Sequence, residues 1–218
     1  MKKSLFISVL LILLIVPLIS VVAQADKNVI ISVESDISTL NPILWVVGGS
    51  GAAGQWLWPL PFDVDPFTGL PVFGLTTWEI SEDGLTYTFT IRDDAVWSDG
   101  TPVTAHDAKF TYDAVASDLI ESPRKANIAF FDSVNVIDDK TYEVVLTEVN
   151  CTIWNDFAAI RWLPAHLFGD DFSDIMDHPL NSEPTVSAGP WILEEWQPDQ
   201  FQRYVANPTF WRGEPEIP

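Results

Sequence analysis

The chain has 218 residues, of which 31 are Asp or Glu against 11 Lys or Arg, giving a formal net charge of −20 at pH 7. Such a field repels polyanions, which excludes nucleic acid and anionic lipid as partners and predicts repulsion of a strongly anionic solute. The single cysteine, Cys151, excludes an internal disulfide, so the fold must rest on an apolar core in which Cys151 itself is expected to be buried.

Met1-Lys2-Lys3 opens the chain, and residues 5–19 are interrupted only by Ser8 and Pro17 before the small residues Ser20, Ala23 and Ala25. A positive start, a short apolar run and an Ala-Gln-Ala pattern predict a secretory signal peptide over 1–25, cleaved after Ala25. The alternative is a retained anchor, since residues 5–22 approach the length of a spanning helix. No cysteine lies near the site, so a lipoprotein anchor is not expected. Cleavage leaves 218 − 25 = 193 residues, enough for one domain, with a net charge of 9 − 31 = −22 because Lys2 and Lys3 are lost.

Residues 29–33 read as a short opening strand, and Leu40-Asn41-Pro42 as an extended turn. Residues 45–61 mix Trp45, Trp56 and Trp58 with Gly48, Gly49, Gly51 and Gly54. They form either a ligand-facing loop or a Gly-rich connection into a buried helix anchored by Trp56 and Trp58. Asp65-Pro66-Phe67-Thr68-Gly69 has the chemistry of a hairpin tip. Residues 77–92 alternate around Asp83-Gly84 and predict an antiparallel hairpin. The turn Trp97-Ser98-Asp99-Gly100-Thr101-Pro102 leads to Thr104, which caps a helix with Asp107 in its first turn and Phe110, Ala114 and Val115 toward the core. Residues 130–137 and 141–147 make a further hairpin, followed by a short helix over 152–160 and a helical turn within 164–168. The acidic, proline-punctuated stretch 169–184 reads as surface loop, and 191–196 with 201–206 as a last hairpin around Pro198-Asp199. Strands and helices are mixed without a βαβ repeat, so the fold class is α+β.

The residues offer no catalytic or metal constellation. His106, His166 and His178 are scattered without ligand spacing, and the cluster Asp170, Asp171, Asp174, Asp177 and His178 lacks the glycine-centred loop of a calcium site. Glu194 and Glu195, adjacent on a strand, are expected to point to opposite faces rather than to act as a glycosidase pair. Neither a serine-nucleophile elbow nor a phosphate-cradling loop occurs, and no base accompanies Cys151. No cofactor is predicted.

Residues 78–89 (Trp-Glu-Ile-Ser-Glu-Asp-Gly-Leu-Thr-Tyr-Thr-Phe), Arg92, and 97–107 (Trp-Ser-Asp-Gly-Thr-Pro-Val-Thr-Ala-His-Asp) resemble the signature stretch of family 5 extracellular solute-binding proteins, the oligopeptide, dipeptide and nickel type. Leu40-Asn41-Pro42, residues 65–69, Ala188-Gly189-Pro190-Trp191 and residues 207–213 resemble further blocks of that family, in the same order, so the likeness covers about residues 29–218. Where the family usually shows Gly-Thr-Gly-Pro-Tyr, this chain has Ser187-Ala188-Gly189-Pro190-Trp191. The resemblance implies a type II periplasmic-binding-protein-like fold, of which 26–218 would be the β-rich N-terminal lobe. Members are normally more than twice as long and close two lobes on the ligand; the second lobe is expected to be missing from this sequence. It further implies a monomeric, non-enzymatic receptor of an ABC importer, capturing peptides foremost, or sugars, on the periplasmic or extracellular side and delivering them to membrane permease subunits. Gly84, Gly100 and Gly189 are expected in turn conformations that side chains disfavour, and Trp78, Phe89 and Trp97 in the core. Trp45, Trp56 and Phe130 are the candidate ligand contacts, with Trp45 and Trp56 as an aromatic floor. The alternative function is an exported carbohydrate-binding module or glycoside-active enzyme.

Overall fold

Asx and glycine turns set the register of the first ladders. The structure, a computed structural model, describes residues 29–31, 37–45, 54–169 and 172–216. The signal peptide and its cleavage site, Gly48, Gly49 and Gly51, and Asp170 and Asp171 lie outside them. Asp65 accepts bonds from the N–H groups of Phe67 and Thr68 at 2.9 and 2.8 Å. Gly69 takes φ +70°, and this tip joins β1 (Asp63–Val64) to β2 (Pro71–Val72). Gly84, at φ +72°, turns β3 (Thr76–Ile80) into β4 (Thr86–Ile91), with Trp78 opposite Phe89. β5 (Phe131–Asp138) and β6 (Thr141–Leu146) complete a four-stranded antiparallel sheet in the order β3-β4-β6-β5. A separate hairpin pairs β7 (Trp191–Gln197) with β8 (Phe201–Ala206), Asp199 at its tip taking φ 59°. These antiparallel ladders beside separate helices form the expected α+β architecture.

One face of the sheet carries the core. Tyr87, Phe89 and Ile91 alternate inward along β4, as do Tyr142, Val144 and Leu146 along β6, and all are buried. Phe89 stacks on Tyr142, its cross-strand partner, with centroids 5.0 Å apart. Helix α1 (Ala105–Ala116) packs on β5 and β6. Helix α2 (Ile153–Ala159) inserts Phe157 among Tyr87, Phe89 and Phe131. Each such buried ring contributes roughly 1.5–3 kcal/mol. Of the residues expected toward the core from α1, Ala114 and Val115 are buried, whereas Phe110 is half-buried and stacks with Phe168 and Phe172 at the helix flank.

Asp107 locks the start of α1. Its Oδ2 accepts from the Thr104 N–H at 2.8 Å and from Trp97 Nε1 at 3.3 Å, and its Oδ1 accepts from the Ala165 N–H at 2.8 Å. Burial pushes the carboxyl above its ordinary value, and the donated bonds oppose that rise. Ser187 has a comparable role. Its hydroxyl bridges the carbonyls of Leu57 and Trp191 at 2.7 and 2.6 Å, and its backbone pairs with Ser98. Asn207 Nδ2 donates to the Gly189 carbonyl at 2.8 Å. The blocks that carry the family resemblance are therefore joints between segments distant in sequence.

Several expectations need correction. Residues 29–31 form no strand and are exposed. Cys151 is exposed, because Asn150 Oδ1 holds the N–H and hydroxyl of Thr152 at 2.9 and 2.8 Å and Ile153 becomes the first residue turned inward. Gly189 does not stand at positive φ; it is required by close approach, since a Cβ there would fall 2.2 Å from the Trp56 carbonyl oxygen. A bulge between Leu193 and Glu195 breaks the alternation of β7. Glu194 and Glu195 therefore share Arg203, at 3.5 and 3.3 Å, instead of facing apart. The stretch 169–184 is not merely surface loop. Two short 3₁₀ turns, Ile175–Asp177 and Pro179–Asn181, bury Ile175 and Leu180, and the Asn181 carbonyl accepts from the Leu40 N–H at 2.6 Å. Among the described residues no helix is long and apolar enough to cross a membrane, and no metal-ligand cluster occurs.

Candidate ligand-binding site

Residues 37–45 and 54–62 border the candidate site. Asn41 Oδ1 accepts from the Ile43 N–H at 3.1 Å and its Nδ2 donates to Asn181 Oδ1 at 2.9 Å. Trp58 Nε1 donates to the Leu40 carbonyl at 2.6 Å, so the two arms of the segment are tied together. Trp45 is buried at 4 % exposure, and Gly54 lies flat against its ring, where a Cβ would sit 1.8 Å from the ring edge. That contact explains the glycine: only a bare backbone fits there.

The three candidate contacts occupy different settings. Trp45 lies beneath the surface, while Trp56, at the far arm of the same segment, is half-buried and meets Tyr204 of β8 edge-on at 5.5 Å. Phe130 is half-buried just before β5 and its carbonyl accepts from the Thr147 N–H. Among the described residues no ring contact joins Phe130 to either tryptophan.

Two arginines that sequence reading passed over hold the backbone of this segment. Arg124 reaches the Trp45 carbonyl with its Nη2 at 3.4 Å, and its Nε is buried without a hydrogen-bond partner. Arg161 donates from Nη1 to the Trp58 carbonyl at 2.9 Å. Burial lowers both guanidinium pKa values, that of Arg161 to about 10. Among the described residues no carboxylate lies within 4.0 Å of either, although Arg92, Lys109, Lys125, Arg203 and Arg212 all have one. Lys140 also lacks a carboxylate, and its ammonium caps the carbonyls of Arg92 and Val103. Asp156 of α2 accepts from Asn127 and Asn150 at 3.0 and 3.3 Å. A cation inside the apolar run Ile160-Arg161-Trp162-Leu163 was the available sequence signal.

A separate groove of about 450 Å³ lies between β3, β4 and the C-terminal segment, lined by Phe73, Thr77, Thr90, Arg92, Trp211 and Arg212. Its arginines are engaged: Arg92 pairs with Asp94 and Arg212 with Asp63, and both guanidinium groups stack on Trp211, at 4.4 and 4.5 Å.

The family model described as bacterial extracellular solute-binding proteins, family 5, matches residues 74–218. The chain belongs to this family. A Brucella ovis ABC transporter peptide-binding protein is 31% identical over 142 residues, covering 65% of this chain and 27% of that protein. The dipeptide-binding protein DppE of Bacillus subtilis is 30% identical over 156 residues, covering 62% of this chain and 27% of its own. The crystal structure of NikZ from Campylobacter jejuni, in complex with Ni(L-His), superposes with a TM-score of 0.80 at 24% identity over 88% of this chain and 38% of that one. The fold is thus that of one part of a type II periplasmic-binding-protein-like family 5 member. The chain spans about a quarter of the length of the curated relatives it matches.

Proposed function

We propose that this chain is part of the substrate-binding component of an ABC importer, exported by its N-terminal segment and capturing peptides or similar small solutes outside the cytoplasmic membrane for delivery to a permease. The observation that carries this reading is the family match over residues 74–218, supported by relatives named for peptide and dipeptide binding. Capture is non-covalent and performs no chemistry on the solute. In the whole protein, ligand shifts an open-to-closed equilibrium by hinge closure, and the closed form is the one a permease recognises. Trp56, whose ring is partly open, is the aromatic contact, and Trp45 supports the same backbone from beneath. Phe130 is a third contact on the β5 side. The glycoside-active alternative has no geometric support in Glu194 and Glu195, since both are occupied by Arg203.

The test is a thermal-shift titration of the purified chain against pooled dipeptides, oligopeptides and sugars. A Tm that rises with peptide concentration is the expected result. A flat response to peptides with a rise in sugar alone contradicts peptide capture, and hydrolysis of any pool member contradicts the non-enzymatic reading.

A further inference from the structure

Asn-x-Ser/Thr is the acceptor pattern for attaching a glycan to an asparagine amide, and it has meaning only on a surface loop of an exported chain. The sequence contains Asn-x-Thr twice, at Asn150-Cys151-Thr152 and at Asn207-Pro208-Thr209. Locally the two are built alike. Asn150 Oδ1 accepts from the N–H and hydroxyl of Thr152 at 2.9 and 2.8 Å, and Asn207 Oδ1 accepts from those of Thr209 at 3.0 and 2.8 Å. Turn geometry therefore does not tell them apart.

Their surroundings do. Asn207 is fully buried, and its Nδ2 donates to the Gly189 carbonyl at 2.8 Å. Its middle residue, Pro208, also breaks the acceptor pattern. Asn150 stands in the loop 147–152 between β6 and α2, outside any helix or strand. Thr147, Glu148, Val149, Cys151 and Thr152 are all exposed, Val149 at 60 %, so the chain on both sides of Asn150 is open to solvent. Asn150 itself is half-buried, and its Nδ2 donates to Asp156 Oδ2 at 3.3 Å. An amide nitrogen carries two N–H bonds, and Asp156 uses only one of them.

We propose that Asn150 is the attachment site of an N-linked glycan. The proposal rests on export, which is part of the solute-capture reading, and adds a modification of the exported chain. The donor is a lipid-linked sugar pyrophosphate and the catalyst a membrane-bound oligosaccharyltransferase acting outside the cytoplasm. In the transfer, Nδ2 forms a bond to the anomeric carbon of the sugar, and the bond from that carbon to the phosphate oxygen breaks. The lipid pyrophosphate leaves with the electron pair, and one Nδ2 proton passes to a base of the transferase. The remaining N–H keeps its bond to Asp156. Glu148, exposed two residues ahead, offers a carboxylate that a cationic transferase groove can hold. The attached sugar covers Val149 and Cys151, an apolar side chain and a thiol otherwise open to water.

Trypsin releases Asn150 in the peptide 141–161, bounded by Lys140 and Arg161, and Asn207 in the peptide 204–212. Mass spectrometry of the chain isolated from the cells that encode it is expected to find a sugar mass on peptide 141–161, placed on Asn150 by fragmentation, with 204–212 unmodified. Asn150→Gln and Thr152→Val should lose that mass completely, whereas Thr152→Ser and Cys151→Ser, which preserve the pattern, should retain it. An added mass that disappears in Cys151→Ser belongs to the thiol and overturns the assignment. An unmodified peptide 141–161 from a chain whose N-terminus is Asp26 also overturns it, and leaves export and solute capture standing. An unmodified chain that still begins at Met1 and stays inside the cell overturns export together with the glycan.

Discussion

Asp107 and Arg161 are both charged side chains drawn away from solvent, one at the start of α1 and the other just beyond α2, and the fold treats them in opposite ways. Asp107 is met by three N–H donors from three segments, so its charge is neutralised by dipoles and serves as a joint. Arg161 meets one carbonyl, and no described carboxylate approaches it. A buried carboxylate saturated by N–H donors joins three segments, whereas Arg161 is half-buried and ties down one carbonyl. The arginines of the Trp211 groove extend the lesson: both have carboxylate partners and an aromatic face, so they staple the C-terminal segment to β4 and have little left for a ligand.

Asp107→Ala breaks this comparison most severely. It strands three N–H groups in the interior, and the expected loss in chemical denaturation is on the order of 3 kcal/mol or more. Retention of parental stability would show that the joint is dispensable. Gly189→Ala drives a Cβ against the Trp56 backbone and should cost about 1–3 kcal/mol by the same measurement, loosening the segment that Arg161 grips without touching any charge.

The smallest effect concerns Asp65 and sharpens the comparison through pH. Its carboxyl is held below the ordinary value by bonds from the Thr68 and Phe67 N–H groups, so its contribution is present above the unfolded value of 3.8 and lost as pH falls through the folded one. Asp107 has the opposite sign: its raised folded pKa favours the folded state at acid pH and that benefit fades as pH rises through the raised value. The stability gap between parent and Asp65→Asn should therefore close between about pH 7 and about pH 2. A gap that widens toward acid would contradict the assignment.

Hairpins and the α1 start were legible because their signals are local. Asp65, Gly69, Gly84 and Gly100 fix turn dihedrals within four residues, and Thr104 with Asp107 mark a helix start. The mixed order of strands and helices gave the fold class, and the ordered blocks gave the family. The strap at 172–184 was not legible, because 3₁₀ turns have no strong periodicity and its anchor is a set of bonds between Asn181 and residues 39–41, distant in sequence. Cys151 misled because residue type alone favours burial, and one Asn turn decided otherwise. The candidate site was the least readable region. Trp45 and Trp56 were singled out together, yet the backbone at Gly54 covers one ring and Tyr204 flanks the other. Whether Arg124 and Arg161 are paired is a long-range property that no spacing rule contains.

The most direct measurement is a crystal structure of the chain grown with trialanine. Trialanine is predicted to lie against the partly open ring of Trp56. Trialanine bound away from Trp56, or crystals that hold no peptide, would contradict the account.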